Sequence, residues 1–141
     1  MIETERQTQF LSLLERPYLE GGLLGEPYDQ DEGCLKFVTR ALSLIGIELT
    51  GDLRDDGRNW QCQWRVNDRI ETLRFKKFQL GDVAVFQGLP FAKFHIALML
   101  DNRHAIQSSS ATNGVGRIDI MGQEWLWALR EIYRHKSLLA N

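Results

Sequence analysis

The sequence predicts an α+β domain in which N-terminal helices pack on one antiparallel β-sheet. Helix-like spacing of apolar residues is confined to about the first third of the chain, and short apolar segments bounded by Gly, Asp or Asn fill most of the remainder. With 141 residues, 43% of them hydrophobic, the chain is long enough to bury a substantial core. The sequence contains no internal repeat and no linker-like tract, so we expect a single domain over residues 1–141.

Two helices are predicted in the N-terminal part. Apolar residues recur at roughly helical spacing over residues 3–15, and Pro17 stops the run. Residues 18–30 are rich in turn-forming residues, namely Gly21, Gly22, Gly25, Pro27 and Asp29, which favours a loop. The strongest helix begins at Asp31, because apolar side chains then repeat at intervals of three and four as far as Ile45, and Gly46 follows as a stop signal.

Strands are predicted from residue 60 onwards, after an exposed loop at residues 51–57. Apolar and polar residues alternate over residues 60–66, which favours a half-buried strand, with a helix as the alternative. Residues 123–129 are expected to form a helical turn before a last strand at residues 131–135. The other predicted strands, taken as successive antiparallel neighbours, are residues 83–86, 94–100, 104–108 and 116–120.

Composition and charge exclude several classes of function. The chain has 17 basic and 19 acidic side chains, which leaves no excess positive charge for binding the phosphates of a nucleic acid. No apolar run approaches the ~18 residues that a membrane span needs. The acidic and polar start is unlike a signal peptide, so we expect synthesis in the cytoplasm, with Cys34 and Cys62 as free thiols.

One cysteine and one histidine are the candidate catalytic residues. Cys34 lies in the first turn of the strongest helix, where unpaired backbone N–H groups favour a thiolate; a small buried hydrophobic residue is the alternative. The preceding Asp31 and Glu32 oppose ionisation, so the thiol needs a basic partner. His95 lies within an apolar strand, where a core histidine is the alternative, and Gln107 in the next strand carries an amide that can orient an imidazole.

The other residue patterns that could indicate a functional site give weaker signals. No two histidines and a carboxylate stand at metal-ligand spacing, and the glycines of residues 21–25 match no phosphate-binding loop, so neither a metal nor a cofactor is expected. Residues 108–110 are serines without the small-x-Ser-x-Gly turn of a serine nucleophile. The four tryptophans would suit a sugar-binding groove, but core and edge packing is favoured for pairs two residues apart.

Four segments together resemble the NlpC-type cell-wall cysteine peptidases, a papain-like family. Residues 17–22, PYLEGG, resemble the P-Y-x-x-G-G loop of the family, and residues 33–38, GCLKFV, resemble its nucleophile helix. Residues 80–86, LGDVAVF, are similar to its L-x-x-G-D strand entry. Residues 95–102, HIALMLDN, are similar to its H-V-G-I-Y-x-G-N strand, and Gln107 stands where the family has a third polar residue. The segments follow the family order over residues 17 to about 120.

This resemblance implies a papain-like NlpC fold and a Cys-His-Gln catalytic triad. It assigns Cys34 as the nucleophile, His95 as the general base and Gln107 as the group that orients His95, and it places Tyr18 beside the thiol as a substrate-binding residue. It also implies bacterial peptidoglycan as the substrate, cut at amide bonds of the stem peptide. Without an export signal, the chain resembles the short peptidases of phage tails or secreted effectors, so delivery by a tail or secretion apparatus is expected, with an immunity protein as a further partner.

The chain also departs from the family pattern. The family usually has D-C-S-G, whereas Gly33 precedes Cys34 here and Lys36 occupies the position of the final glycine. Most members have histidine where this chain has Gln107, and a neutral amide fixes the imidazole without balancing its charge. Two alternatives stay open: a papain-like deamidase or acyltransferase toxin, and a catalytically inactive tail-assembly or adaptor protein.

Overall fold

The computed structural model describes residues 33–49, 53, 58–68, 72–73 and 75–139. The helix predicted at residues 3–15, the loop at residues 18–30 and most of the loop at residues 51–57 lie outside these residues. Within them, no helix combines the length and the apolar character needed to cross a membrane. The elements are helix α1 (Gly33–Leu44), strands β1 (Trp60–Arg65), β2 (Val83–Leu89), β3 (Ala92–Met99), β4 (His104–Ser109) and β5 (Gly114–Asp119), helix α2 (Gln123–Ala128) and strand β6 (Leu129–His135).

Helix α1 confirms the strongest helix prediction. Its apolar stripe, from Phe37 to Leu42, is buried against the sheet. The helix ends in two hydrogen bonds, from Gly46 N to Ser43 O at 3.1 Å and from Ile47 N to Leu42 O at 3.0 Å. This pattern requires a left-handed residue after the last turn, and Gly46 supplies it with φ of +79°.

The six strands form one antiparallel sheet in the order β1-β6-β2-β3-β4-β5. Strands β2 to β5 are successive neighbours, as the sequence predicts. Strand β6 lies between β1 and β2, so these two strands, which are consecutive in sequence, do not pair with each other. Helix α1 packs on β3 and β4, which are the strands that carry His95 and Gln107.

The sheet has an apolar core on each face. Alternate residues of β3 separate the two, because Ile96 and Leu98 pack with α1 whereas Ala97 and Met99 face the other way. The helix-side core includes Phe37, Val38, Leu42, Val83, Val85, Ile96, Leu98 and Ile106, and the far-side core includes Trp64, Ala84, Phe86, Ala97, Met99, Ile118 and Leu129.

A bulge in β1 breaks the predicted alternation of residues 60–66. Cys62 pairs with Tyr133 and Trp64 pairs with the next residue, Ile132, so Gln63 is the extra residue. Trp60 therefore packs in the helix-side core, whereas Trp64 packs in the far-side core. The strand prediction is confirmed, but its period of two does not continue past Cys62.

Candidate active site

A buried hydrogen bond joins His95 to Gln107. The distance between His95 Nε2 and Gln107 Oε1 is 3.0 Å. His95 is 2% exposed and Gln107 is fully buried. The pairing of β3 with β4 brings the two strands together, with Leu98 opposite Ile106. The structure thus places side by side two of the residues that the sequence analysis singled out, twelve positions apart.

Aromatic rings surround the imidazole. The ring of His95 lies 5.3 Å from that of Phe91, 5.9 Å from that of Trp125 and 6.3 Å from that of Phe86, measured between centroids. Burial among these groups lowers the pKa of His95 to about 4, although its hydrogen bond to Gln107 acts in the opposite direction. The imidazole is therefore neutral near pH 7.

We expect the ring protons of His95 to titrate with a midpoint near pH 4 in an NMR titration. Because this pKa lies below the ~6.5 of an unfolded chain, the unfolded state takes up the proton first as the pH falls. The stability that the neutral ring contributes is complete above about pH 6.5 and is lost as the pH falls towards 4. A midpoint between 6 and 7 would show a solvated ring and contradict the burial of His95.

Cys34 is the second residue of α1 and is half-buried against the helix-side core. The preceding Gly33 has φ of +66°, a left-handed conformation that a side chain rarely adopts, although no atom lies within 4 Å of the place where a Cβ would be. The left-handed backbone at residue 33 thus favours a glycine where the family pattern has an aspartate. Cys34 lies in the first turn of this 12-residue helix, where backbone N–H groups have no partner within the helix.

The structure does not join Cys34 to His95. Within the residues that it describes, no hydrogen bond links the Cys34 thiol to the His95 imidazole. The aromatic neighbours of His95 belong to the far-side core or pack against it. Tyr18 lies outside the described residues. His104 is the first residue of β4, and its Nδ1 lies 3.2 Å from Asp101 Oδ2. The pairing of Cys34 with His95 stays a prediction.

The two cysteines provide a test of that pairing. At about pH 6, where an ordinary thiol with a pKa near ~8.5 is almost wholly protonated, we expect iodoacetamide to label Cys34 well before Cys62. Both cysteines are half-buried, and the Cys62 thiol donates a hydrogen bond to Trp64 O at 3.3 Å. Arg65 lies beside Cys62, so a nearby cation alone would not account for the expected difference. Equal labelling, measured by peptide mass, would contradict an activated Cys34.

Thr112 is a site residue that the sequence analysis missed. Its hydroxyl lies 2.8 Å from Gln107 Nε2, just after β4 in a short 3₁₀ helix. The signal that marks it is the turn that follows, because Asn113 and Gly114 both have positive φ and fold residue 112 back onto the strand. No group of three or more His, Cys, Asp or Glu side chains that would hold a metal occurs in the described part of the chain.

No model of a known protein family matches the chain, and no curated protein matches it. A solved structure does: a protein from Staphylococcus aureus described as similar to a lipoprotein of the NLP/P60 family. The TM-score is 0.55 at 17% sequence identity, over 92% of this chain and 41% of that protein. The chain has an NLP/P60-like fold.

At this level of identity the similarity concerns the fold alone. The chain spans less than half the length of that protein. An NLP/P60-like fold agrees with the predicted α+β class, since one main helix packs on an antiparallel sheet of six strands. Within this NLP/P60-like fold, the bond between His95 and Gln107 links the two strands on which the helix of Cys34 packs.

Proposed function

We propose that this chain is a cysteine hydrolase that cuts amide bonds in the stem peptide of peptidoglycan. Cys34 is the nucleophile, His95 is the general base and Gln107 orients His95. The observation that carries the proposal is the buried 3.0 Å hydrogen bond between His95 and Gln107, which holds a neutral imidazole in one orientation. Cys34 lies in the first turn of α1 and packs against the helix-side core of the same sheet, whereas the aromatic neighbours of His95 belong to the far-side core or pack against it. An imidazole held at one nitrogen by a neutral partner is prepared to accept a proton at the other.

The proposed reaction has two steps. His95 removes the proton of the Cys34 thiol, and the sulfur attacks the carbonyl carbon of the scissile amide. The C–N bond then breaks, and the imidazolium returns the proton to the leaving amine, which leaves a thioester on Cys34. In the second step water gives a proton to His95 and attacks the thioester. The C–S bond breaks and the thiolate recovers that proton, which releases a carboxylic acid and restores the enzyme.

The start of α1 would supply the hydrogen-bond donors that this chemistry needs for the oxyanion. Negative charge develops on the carbonyl oxygen during each attack, and backbone N–H groups stabilise it best where they are unpaired and fixed. The N–H of Cys34 lies in the first turn of a helix, where such donors are found. Nucleophile and oxyanion donor would therefore come from the same residue.

Two similarities support peptidoglycan as the substrate. The motifs at residues 17–22, 33–38, 80–86 and 95–102 resemble those of cell-wall peptidases. The fold is similar to that of a protein described as belonging to the NLP/P60 family. Tyr18, which the resemblance places beside the thiol, is the proposed substrate-binding residue and lies outside the described residues.

Digestion of purified peptidoglycan tests the proposal. We expect the chain to release fragments that each gain one water across a stem-peptide amide, detected by liquid chromatography and mass spectrometry, and the Cys34→Ala variant to release none. Release of ammonia without a chain break would indicate a deamidase, and a new amide to an added amine would indicate an acyltransferase. Unchanged peptidoglycan with a folded chain would contradict the proposal and favour an adaptor protein.

A further inference from the structure

We propose that Thr112 is a positioning residue that fixes the amide of Gln107 and, through it, the tautomer of His95. The hydroxyl of Thr112 donates a hydrogen bond to Gly114 O at 2.7 Å and accepts one from Gln107 Nε2 at 2.8 Å. The amide oxygen of Gln107 then faces His95 Nε2 at 3.0 Å. This chain of hydrogen bonds places the ring proton on Nε2 and leaves the lone pair on Nδ1.

Two backbone carbonyls decide which group donates in each of these hydrogen bonds, because a carbonyl oxygen can only accept a hydrogen bond. Gly114 O takes the single proton of the Thr112 hydroxyl, so that hydroxyl can only accept from Gln107. Gly116 O lies 3.4 Å from Gln107 Nε2 and also accepts from it. If the amide were turned over, its oxygen would face Gly116 O with no proton between them, and Thr112 would have to give up Gly114 O. The orientation with Nε2 towards Thr112 is therefore the one in which the Thr112 hydroxyl, the Gln107 amide and both backbone carbonyls have compatible partners.

The backbone holds the Thr112 side chain tightly in place. A Cβ at residue 116 would lie 2.9 Å from Thr112 Cβ and 3.1 Å from its Cγ2, so only a glycine fits beside it. Asn113 and Gly114, with φ of 56° and 129°, turn the chain so that Gly114 O meets the hydroxyl. Ser109 Oγ lies 3.3 Å from Thr112 Oγ1 and is able to donate to it. The hydroxyl thus has a fixed place and a full set of partners.

The tautomer matters for catalysis if the proposed function holds, because Nδ1 is the nitrogen that Gln107 leaves free to take the thiol proton. A ring with its proton on Nδ1 has no lone pair there and cannot act as the base on that side. The tautomer itself is a property of the folded chain. It can be measured whether or not the chain hydrolyses anything, so failure of this proposal and failure of the proposed function are distinguishable.

The test is ¹⁵N NMR of the imidazole nitrogens near pH 7, in the full chain and in two variants. We expect the wild-type ring to carry its proton on Nε2. Thr112→Val removes the hydroxyl at nearly constant volume, and we expect it to lower the ratio of the Nε2–H to the Nδ1–H form by about 3- to 10-fold, as the loss of one hydrogen bond would. Thr112→Ser keeps the hydroxyl and should give the wild-type ratio.

If the His95 ring of the wild-type chain carries its proton on Nδ1, the proposal is overturned. This measurement needs no variant, so the proposal is testable even if Thr112→Val fails to fold. Equal ¹⁵N shifts in folded Thr112→Val and Thr112→Ser would also overturn it. The hydrolytic rate is the second measurement. We expect Thr112→Val to lower kcat by no more than the change in the tautomer ratio, at most about 10-fold, with little change in KM, and Thr112→Ser to restore it.

Discussion

Cys34→Ala and His95→Ala are each expected to lower the hydrolytic rate by about 10⁴-fold or more. Each variant removes one partner of a single proton-transfer and attack step, so neither loss can be offset by the residue that stays. The rate is measured on a defined stem peptide, with circular dichroism to show that each variant is folded. Cys62→Ala and His104→Ala are the matched controls, because they remove the same chemical groups elsewhere, and both should keep the wild-type rate.

Gln107→Ala should cost less, about 10- to 100-fold, because the aromatic rings around His95 also restrict the imidazole. Gln107→His should stay active, since the resemblance makes histidine the commoner residue at this position. A folded Gln107→Ala variant as inactive as Cys34→Ala would give Gln107 a direct chemical role and contradict the orienting role. Full activity in His95→Ala would remove the proposed mechanism altogether.

The elements of the fold were predictable where local pattern decides them. The apolar stripe of α1 and its glycine stop mark a helix from sequence alone, and the apolar runs of β2 to β5 each end at turn-forming residues. The position of β6 was not predictable, because insertion of the last strand between β1 and β2 depends on contacts between distant segments. The extra residue Gln63 in β1 likewise shows only in the register with β6.

The candidate site was predictable to the extent that it resembles a family motif. Cys34, His95 and Gln107 follow from residue type, order and spacing, and the structure shows the last two in contact. Thr112 belongs to no motif, and its role arises from where Asn113 and Gly114 turn the chain. Cys34 packs against the helix-side core and the aromatic neighbours of His95 belong to the far-side core or pack against it. The distance between the two residues depends on three-dimensional packing, which spacing along a sequence does not specify.

The buried Asp82 explains how the inserted strand is held. Asp82 directly precedes β2 and is fully buried, whereas Arg134 lies on β6. Arg134 Nε lies 2.9 Å from Asp82 Oδ1 and its Nη2 lies 2.8 Å from Oδ2, a bidentate pair. Gln79 N donates to the same carboxylate at 3.0 Å. Burial raises the pKa of Asp82, and the guanidinium of Arg134 acts in the opposite direction.

We expect Arg134→Met to lower the free energy of unfolding by about 3–5 kcal/mol at pH 7, because it leaves a buried carboxylate without its partner. Urea unfolding measures the loss. Arg103→Met is the matched control, since Arg103 lies 2.7 Å from Asp119 but is 59% exposed, and it should cost less than about 1 kcal/mol. Equal losses in the two variants would show that burial of the Asp82 pair adds nothing.

The pH dependence separates an unpaired charge from lost packing. Without Arg134, the pKa of Asp82 in the folded chain rises further above the ~3.9 of the unfolded chain. The penalty is therefore absent below about pH 4 and grows as the pH rises through the folded pKa of Asp82. Replacing both partners, as Asp82→Leu with Arg134→Met, should recover most of the loss at pH 7, because no buried charge remains. A loss that is constant with pH and persists in the double variant would mean that Arg134 stabilises β6 by packing instead of by neutralising Asp82.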